Sequence, residues 1–109
     1  MSDRHLRVES LLREIVAKFV RQEANTDPLI TITRVSVSPD YRKALVLFTT
    51  IPNNKEEDAL IFMKRSGKDL RTFVKKNSNF KIIPFLEFMV DYGERHRQDI
   101  DEVVNEIGD

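Results

Sequence analysis

The chain has 109 residues, of which 40% are apolar and 33% are charged, and its formal net charge at pH 7 is zero. These values are typical of one globular domain, so we expect residues 1–109 to form a single domain. The absence of cysteine excludes a disulfide framework, a thiol nucleophile and a thiolate metal site. The polar start shows no signal-peptide pattern, and no apolar run approaches the roughly 20 residues of a membrane span, so we expect a cytoplasmic protein.

The charges are distributed unevenly along the chain. Residues 1–81 contain 16 Lys and Arg against 10 Asp and Glu, a balance of +6, whereas residues 82–109 carry −6. This asymmetry indicates a basic working face followed by an acidic end.

The first half of the chain has the pattern of a helix followed by a β-hairpin. Apolar residues at helical spacing predict an amphipathic helix over Asp3–Ala24. Alternating apolar residues predict strands over Leu29–Ser38 and Arg42–Thr50, joined by a turn at Pro39-Asp40. The apolar register of the first strand shifts at Thr33-Arg34, which indicates a β-bulge.

The second strand is apolar on both of its faces. Ala44, Val46 and Phe48 share one face, and Leu45 and Leu47 share the other. A strand with this pattern is buried on both sides and needs a cover on each. We expect helices to cover one side, and either a C-terminal helix or a partner surface to cover the other.

The segment Asp58–Lys76 predicts two helices that share one apolar stripe and are interrupted at Ser66-Gly67. A glycine inside a helix costs about 1 kcal/mol relative to alanine, so we expect a kink where another backbone can approach. Asn53 and Glu56 have the spacing of a helix cap before this pair. The segment also concentrates positive charge, against the single acid Asp69, at Lys64, Arg65, Lys68, Arg71, Lys75, Lys76 and Lys81. This local charge of +6 is typical of a phosphate-binding surface, and equally of a solvated lysine-rich helix face.

A third strand is predicted over Phe80–Asp91, where Pro84 belongs at the strand start, an edge or a bulge, and a last helix is predicted over Glu94–Ile107. The order is therefore helix, strand, strand, kinked helix pair, strand and helix. This order predicts the α+β class, with one three-stranded sheet packed against helices. The pairing of the third strand does not follow from the sequence.

No pattern in the chain favours an enzyme. We expect His5 to be solvated in the first helical turn and His96 to pack at the edge of the last helix. Metal-ligand spacing, a serine nucleophile motif and a P-loop are all absent from the sequence. We therefore expect no catalysis, no cofactor and no small-molecule substrate, and nothing in the pattern requires more than a monomer.

A set of motifs spread over nearly the whole chain carries a family resemblance. They are Asp27-Pro28-Leu29-Ile30, Thr31–Ser38, Pro39-Asp40, Ala44, Val46, Phe48, Ser66-Gly67, Leu70, Arg71, Ile83-Pro84, Leu86, Phe88 and Asp91. The order of elements is similar to the type II KH fold, and the motifs resemble the ribosome-binding factor A family of bacterial assembly factors. Arg65 departs from the family pattern, because it replaces the alanine of an interrupted Ala-x-Gly kink. Gly93 also departs, because it stands where the family often has serine.

The resemblance implies a protein that binds the immature small (30S) ribosomal subunit and contacts its 16S ribosomal RNA. It also implies a role in late maturation, including 5′-end processing of the RNA, and in growth in the cold. Most aromatic residues fall at core positions, and Tyr41 and Tyr92 are the better candidates for exposure. We therefore expect recognition of the backbone and shape of folded RNA rather than of individual bases.

The RNA-contacting residues that we expect are Lys64, Arg65, Ser66, Gly67, Lys68, Arg71, Lys75, Lys76 and Lys81, with Arg34, Arg42 and Lys43 as secondary candidates. The alternative is a protein–protein interaction module that uses the apolar sheet face and the acidic C-terminal helix. Salt separates the two hypotheses, because RNA binding weakens steeply as salt rises and a mainly apolar interface does not.

Overall fold

A computed structural model describes residues 3–23, 29–51 and 53–92 of the chain. In order, the elements are α1 (Asp3–Glu23), β1 (Leu29–Val37), β2 (Lys43–Ile51), a short 3₁₀ helix (Asn53–Lys55), α2 (Glu56–Arg65), α3 (Gly67–Lys76) and β3 (Phe85–Val90). They form one three-stranded sheet packed against helices, which confirms the predicted α+β class. The last predicted helix, Glu94–Ile107, lies outside the described residues, as does His96.

The strand order is β1-β2-β3, so β2 is the central strand. β1 pairs with β2 in antiparallel fashion, as the hairpin pattern predicts, whereas β3 pairs with β2 in parallel. A parallel pair needs a long crossover between its strands, and α2 with α3 supplies it here. This crossover places the two helices beside β3.

The bulge predicted in β1 is confirmed, and it links the two outer strands. Ile32 pairs with Phe48 and Arg34 pairs with Leu47, so Thr33 is the extra residue. The Thr33 hydroxyl donates to Asp91 Oδ2 at 2.5 Å, just beyond the end of β3. A bulge can re-aim a side chain in this way, and here Ile32 and Arg34 on either side of Thr33 keep their partners.

The main core lies between the helices and one face of the sheet. Phe48 of β2 is fully buried there, together with Leu12 and Val16 of α1, Met63 of α2 and Leu70 of α3. The other face of β2 carries Leu45 and Leu47, which are also buried, and Met89 of β3 packs against them. The central strand is therefore buried on both faces, as its sequence predicts.

His5 is buried, which contradicts the expectation that it is solvated. Its Nε2 lies 2.8 Å from Val37 O and therefore donates a hydrogen bond to that carbonyl. One helical turn later, Glu9 Oε2 accepts the N–H of the same Val37 at 2.7 Å. The His5 ring also packs on Tyr41, with 5.0 Å between the ring centroids. α1 thus satisfies both outward backbone groups at the end of β1, and this long-range role buries the histidine.

Three further expectations differ from the structure in detail. β3 starts at Phe85 rather than Phe80, because Pro84 removes a ladder donor and the residues before it are irregular. The second helix starts at Glu56 rather than at the predicted Asp58. Its N-cap residue is Lys55, whose side chain makes no capping hydrogen bond. Asn53 is therefore not the N-cap residue of α2, contrary to the prediction from its spacing to Glu56.

The turn between β1 and β2 is built around one carboxylate. The Ser38 hydroxyl donates to Asp40 Oδ1 at 2.7 Å, and the Arg42 N–H donates to the same oxygen at 3.1 Å. Tyr41, with a φ of 64°, completes the turn in the left-handed region. The Ser38 hydrogen bond, followed by that of Arg42, lowers the pKa of Asp40 below its ordinary value of 3.8.

We therefore expect the contribution of Asp40 to stability to depend on pH. A lowered folded-state pKa makes this contribution complete above the ordinary value of 3.8 and lost as the pH falls through the lowered value. Asp40→Asn should lower the melting temperature at about pH 7, and the difference from the native chain should shrink at about pH 2. Thermal unfolding followed by circular dichroism checks this, with Glu14→Gln on the exposed side of α1 as the control. A difference that is the same at both pH values contradicts the assignment.

Candidate nucleic-acid interface

A groove with a volume of about 830 Å³ runs between the helix pair and β3. The helix pair lines one wall with four of the predicted cations, which are Lys64, Lys68, Arg71 and Lys75, and the segment before β3 adds Lys81. The other side is largely apolar and is formed by Phe80, Ile83, Phe85, Leu86 and Phe88. Among the described residues that line the groove, Glu87 is the one acid, so the groove is strongly electropositive.

The basic wall follows from helical spacing that continues through the kink. Lys64, Lys68, Arg71 and Lys75 are separated by four, three and four residues, which places them on one helix face. Hydrogen bonding also continues across the interruption, because Ser66 N–H donates to Phe62 O at 3.0 Å and Leu70 N–H donates to Ser66 O at 2.8 Å. The four cations of this wall are exposed and available to a ligand, and so is Lys81.

The break in the helix lies at Ser66, which has φ −85° and ψ 0° and separates α2 from α3. Gly67 is the first residue of α3 and lines the groove. A Cβ added at Gly67 would meet nothing within 4 Å, so the fold itself does not require glycine there. What the glycine provides is open space beside the basic wall.

Arg71 connects the two sides of the groove. Its Nη2 donates to Ile83 O at 3.1 Å, which ties α3 to the segment before β3. A guanidinium group has five N–H donors, so this bond leaves further donors for a ligand. Arg71 therefore shapes the groove as well as adding charge to it.

Six of the predicted contact residues do not line the groove. Arg65, Ser66 and Lys76 lie on the helix pair away from it. Arg34 lies on β1, at the opposite edge of the sheet from β3. Arg42 and Lys43 lie at the start of β2, where Lys43 is the register partner of Phe85. The structure thus gathers six of the predicted residues, including Gly67, and leaves Arg42 and Lys43 beside one end of the groove.

The sequence does not predict the apolar side of the groove, because this side depends on where β3 pairs. All seven phenylalanines lie in the described residues, and Phe85 alone among them is exposed, at 56% of its surface. Tyr41 is half-buried against His5, whereas Tyr92 is 65% exposed but does not line the groove. The exposed aromatic at the interface is therefore Phe85, and neither tyrosine lies there.

Two other kinds of site are absent from the described part of the chain. It contains no group of three or more His, Cys, Asp or Glu residues that could hold a metal ion. Within the same residues, no helix has the length and apolar character needed to cross a membrane.

Comparisons with known proteins identify the family of the chain and agree with its fold. The chain is 29% identical over 109 residues to ribosome-binding factor A of Opitutus terrae, covering 98% of this chain and 89% of that protein. The crystal structure of ribosome-binding factor A from Thermus thermophilus has a similar fold, with a TM-score of 0.72 and 22% identity over 79% of this chain and 94% of the other. A homology model of the Thermus thermophilus protein, fitted into a cryo-EM map of a complex of the 30S subunit with ribosome-binding factor A, gives a TM-score of 0.68 and 21% identity over 76% and 90% of the two chains. The family model for ribosome-binding factor A matches residues 4–104, and the chain therefore belongs to the ribosome-binding factor A family.

Proposed function

We propose that this protein binds the small (30S) ribosomal subunit as a non-catalytic assembly factor, and that its basic groove contacts 16S ribosomal RNA. It acts as a monomer in the cytoplasm, through a KH-like domain, and assists late maturation of the subunit, including 5′-end processing of the RNA. Membership of the family, and the fit of a similar structure into the map of a 30S complex with ribosome-binding factor A, support the choice of subunit. The observation that carries the proposal is the set of five exposed cations that line the groove, four of them along one helix face.

This alignment suits phosphates because of how nucleic acids are bound. Each cation that neutralises a phosphate releases condensed counterions, and this release supplies a large share of the affinity. Phosphate contacts also fix the register and orientation of the protein on the RNA. Helical spacing holds four of the cations in one row, so they can follow a sugar–phosphate backbone.

The proposal is tested by co-sedimentation with purified small subunits, mature and immature, at low and high salt. We expect binding that weakens steeply with salt, with a log–log slope of about −0.7 to −0.9 for each phosphate contact, and that is stronger to one form of the subunit. Failure to bind either form at low salt would exclude this function. Binding that is insensitive to salt would instead favour the protein-interaction alternative. For that alternative the described sheet offers little surface, since Leu45 and Leu47 are already buried.

The open space at Gly67 leads to a second test of the same groove. Gly67→Ala places a methyl group where nothing in the described fold lies within 4 Å, and alanine favours a helix by up to about 1 kcal/mol. We expect the melting temperature to stay the same or rise, while the affinity for the small subunit falls because RNA can no longer approach the backbone. Circular dichroism and co-sedimentation measure the two effects separately, and Thr72→Ala on the same wall is the control. Unchanged affinity would show that the ligand does not approach Gly67.

A further inference from the structure

A cation and an aromatic ring are neighbours at the end of the sheet, beside the basic groove. Phe85 is the first residue of β3, and its register partner Lys43 is the first residue of β2. Both side chains are exposed. Register partners in neighbouring strands lie about 4.8 Å apart and point to the same face. Phe85 and Lys43 are therefore adjacent on the surface.

This pair and the basic wall lie on opposite sides of the sheet, separated by the edge strand β3. The next pair in register, Ala44 with Leu86, is buried in the core beneath the helices. Because side chains alternate along a strand, Phe85 and Lys43 point to the other face of the sheet. Phe85 N–H donates to Arg42 O at 2.7 Å, which fixes the start of β3 beside a second exposed cation. A strand of RNA that leaves the groove over this edge meets Phe85 first, with Lys43 and Arg42 next to it.

Core packing does not explain why a phenylalanine occupies this position. Phe85 belongs to neither hydrophobic cluster of the described residues, although it lines the groove. An exposed ring beside cations is the combination that binds single strands, because a base can stack on the ring while its phosphate meets a cation. A duplex keeps its bases stacked and cannot use such a position.

We propose that Phe85 and Lys43, with Arg42 beside them, form a second nucleotide position for single-stranded RNA at the end of the groove. One base stacks on the Phe85 ring, and the neighbouring phosphate binds Lys43. This position rests on the proposed function, because the RNA must first occupy the groove. It assigns a role to two cations that do not line the groove, and it adds one stacked base to the expected recognition of the RNA backbone and shape.

The test compares oligouridylates of about 4 and about 10 nucleotides, with affinity measured by fluorescence anisotropy. The native chain should bind the longer strand about tenfold more tightly than the shorter one, and a duplex of the longer length should show no such gain. The double variant Phe85→Leu with Lys43→Gln should lose most of this gain, so that its affinities for the long and the short strand become similar. The double variant Leu6→Ala with Lys18→Gln, which changes an exposed leucine and an exposed lysine on α1, should keep the gain.

Phe85→Trp gives a second readout that a structural role would not change. The chain contains no tryptophan, so the emission of this variant reports position 85 alone. Quenching by the long strand, together with a gain in affinity that is kept, supports stacking. The second position is wrong if the Phe85→Leu and Lys43→Gln double variant keeps the gain in affinity with strand length. It is also wrong if the native chain shows no such gain but still binds subunits. In both cases the proposed binding of RNA in the groove is unaffected. If the native chain binds neither strand nor subunit, the proposed function fails as well.

Discussion

Replacing Lys64, Lys68 and Lys75 with glutamine is expected to weaken binding to the small ribosomal subunit by about a hundredfold near 0.15 M salt. The three lysines lie on the basic wall and are exposed, so each is free to neutralise one phosphate. Losing three such contacts should also reduce the log–log salt slope by about 2 to 3. Co-sedimentation over a series of salt concentrations measures both quantities.

Arg71 stays in place in this variant because its bond to Ile83 O holds the groove together. Removing it would mix a change in shape with a change in charge. The three lysines are surface residues, so we expect the melting temperature to change little. An unchanged circular dichroism melting curve would confirm that the loss of binding does not come from unfolding.

The matched control carries Arg7, Arg13 and Lys18 changed to glutamine. These residues lie on the exposed side of α1, do not line the groove, and alter the net charge by the same amount. The control should keep most of its affinity, because charges farther from the ligand than about 10 Å are largely screened at 0.1 M salt. If both variants lose affinity equally, the effect comes from overall charge, and the groove is not the binding site.

The sequence predicts the hairpin half of the fold well because its signals are local. The bulge at Thr33 appears as a shift of apolar register, and the double burial of β2 appears as an unbroken apolar run. Pro39 and Asp40 mark the turn through their own backbone preferences. Each of these features depends on residues close together in the chain, so a pattern of a few letters is enough to predict it.

Features that depend on distant partners do not follow from such patterns. The pairing of β3 with β2 is decided by the crossover through α2 and α3, and the apolar side of the groove depends on that pairing. His5 looks like a solvated residue in a first helical turn, yet its partner Val37 lies 32 positions away. The charges of the basic wall are visible in the sequence, whereas only the fold shows which of them share a groove.

The kink shows how a correct local prediction can have a different physical cause. From the sequence, the interruption is attributed to Gly67, because the backbone of glycine adopts more conformations than that of serine. In the structure the break is at Ser66, and Gly67 is an ordinary first residue of a helix. The fold does not require glycine at this position, and we propose that the space it leaves in the groove serves binding.

The second large effect is expected on stability, from Phe48→Ala. Phe48 is fully buried in the central strand, and it lies opposite Ile32 on one side and Val90 on the other. Its carbonyl also accepts the Asp91 N–H at 2.7 Å. Removing a buried phenylalanine ring leaves a cavity and costs about 3–5 kcal/mol in the free energy of unfolding. A domain of this size has about 5–15 kcal/mol in total, so the variant should be marginally folded or unfolded at 37 °C.

Urea denaturation measures this loss, and Phe85→Ala is the matched control because it removes the same ring from an exposed position. We expect Phe85→Ala to change the free energy of unfolding by less than about 0.5 kcal/mol, although it should weaken binding of single-stranded RNA. Phe48→Leu should cost less than Phe48→Ala, since most of the buried volume is kept. If Phe48→Ala and Phe85→Ala lower the free energy of unfolding equally, the assignment of Phe48 as buried and Phe85 as exposed is wrong. Opposite outcomes for stability and binding would show that one phenylalanine holds the sheet together and the other is kept for the ligand.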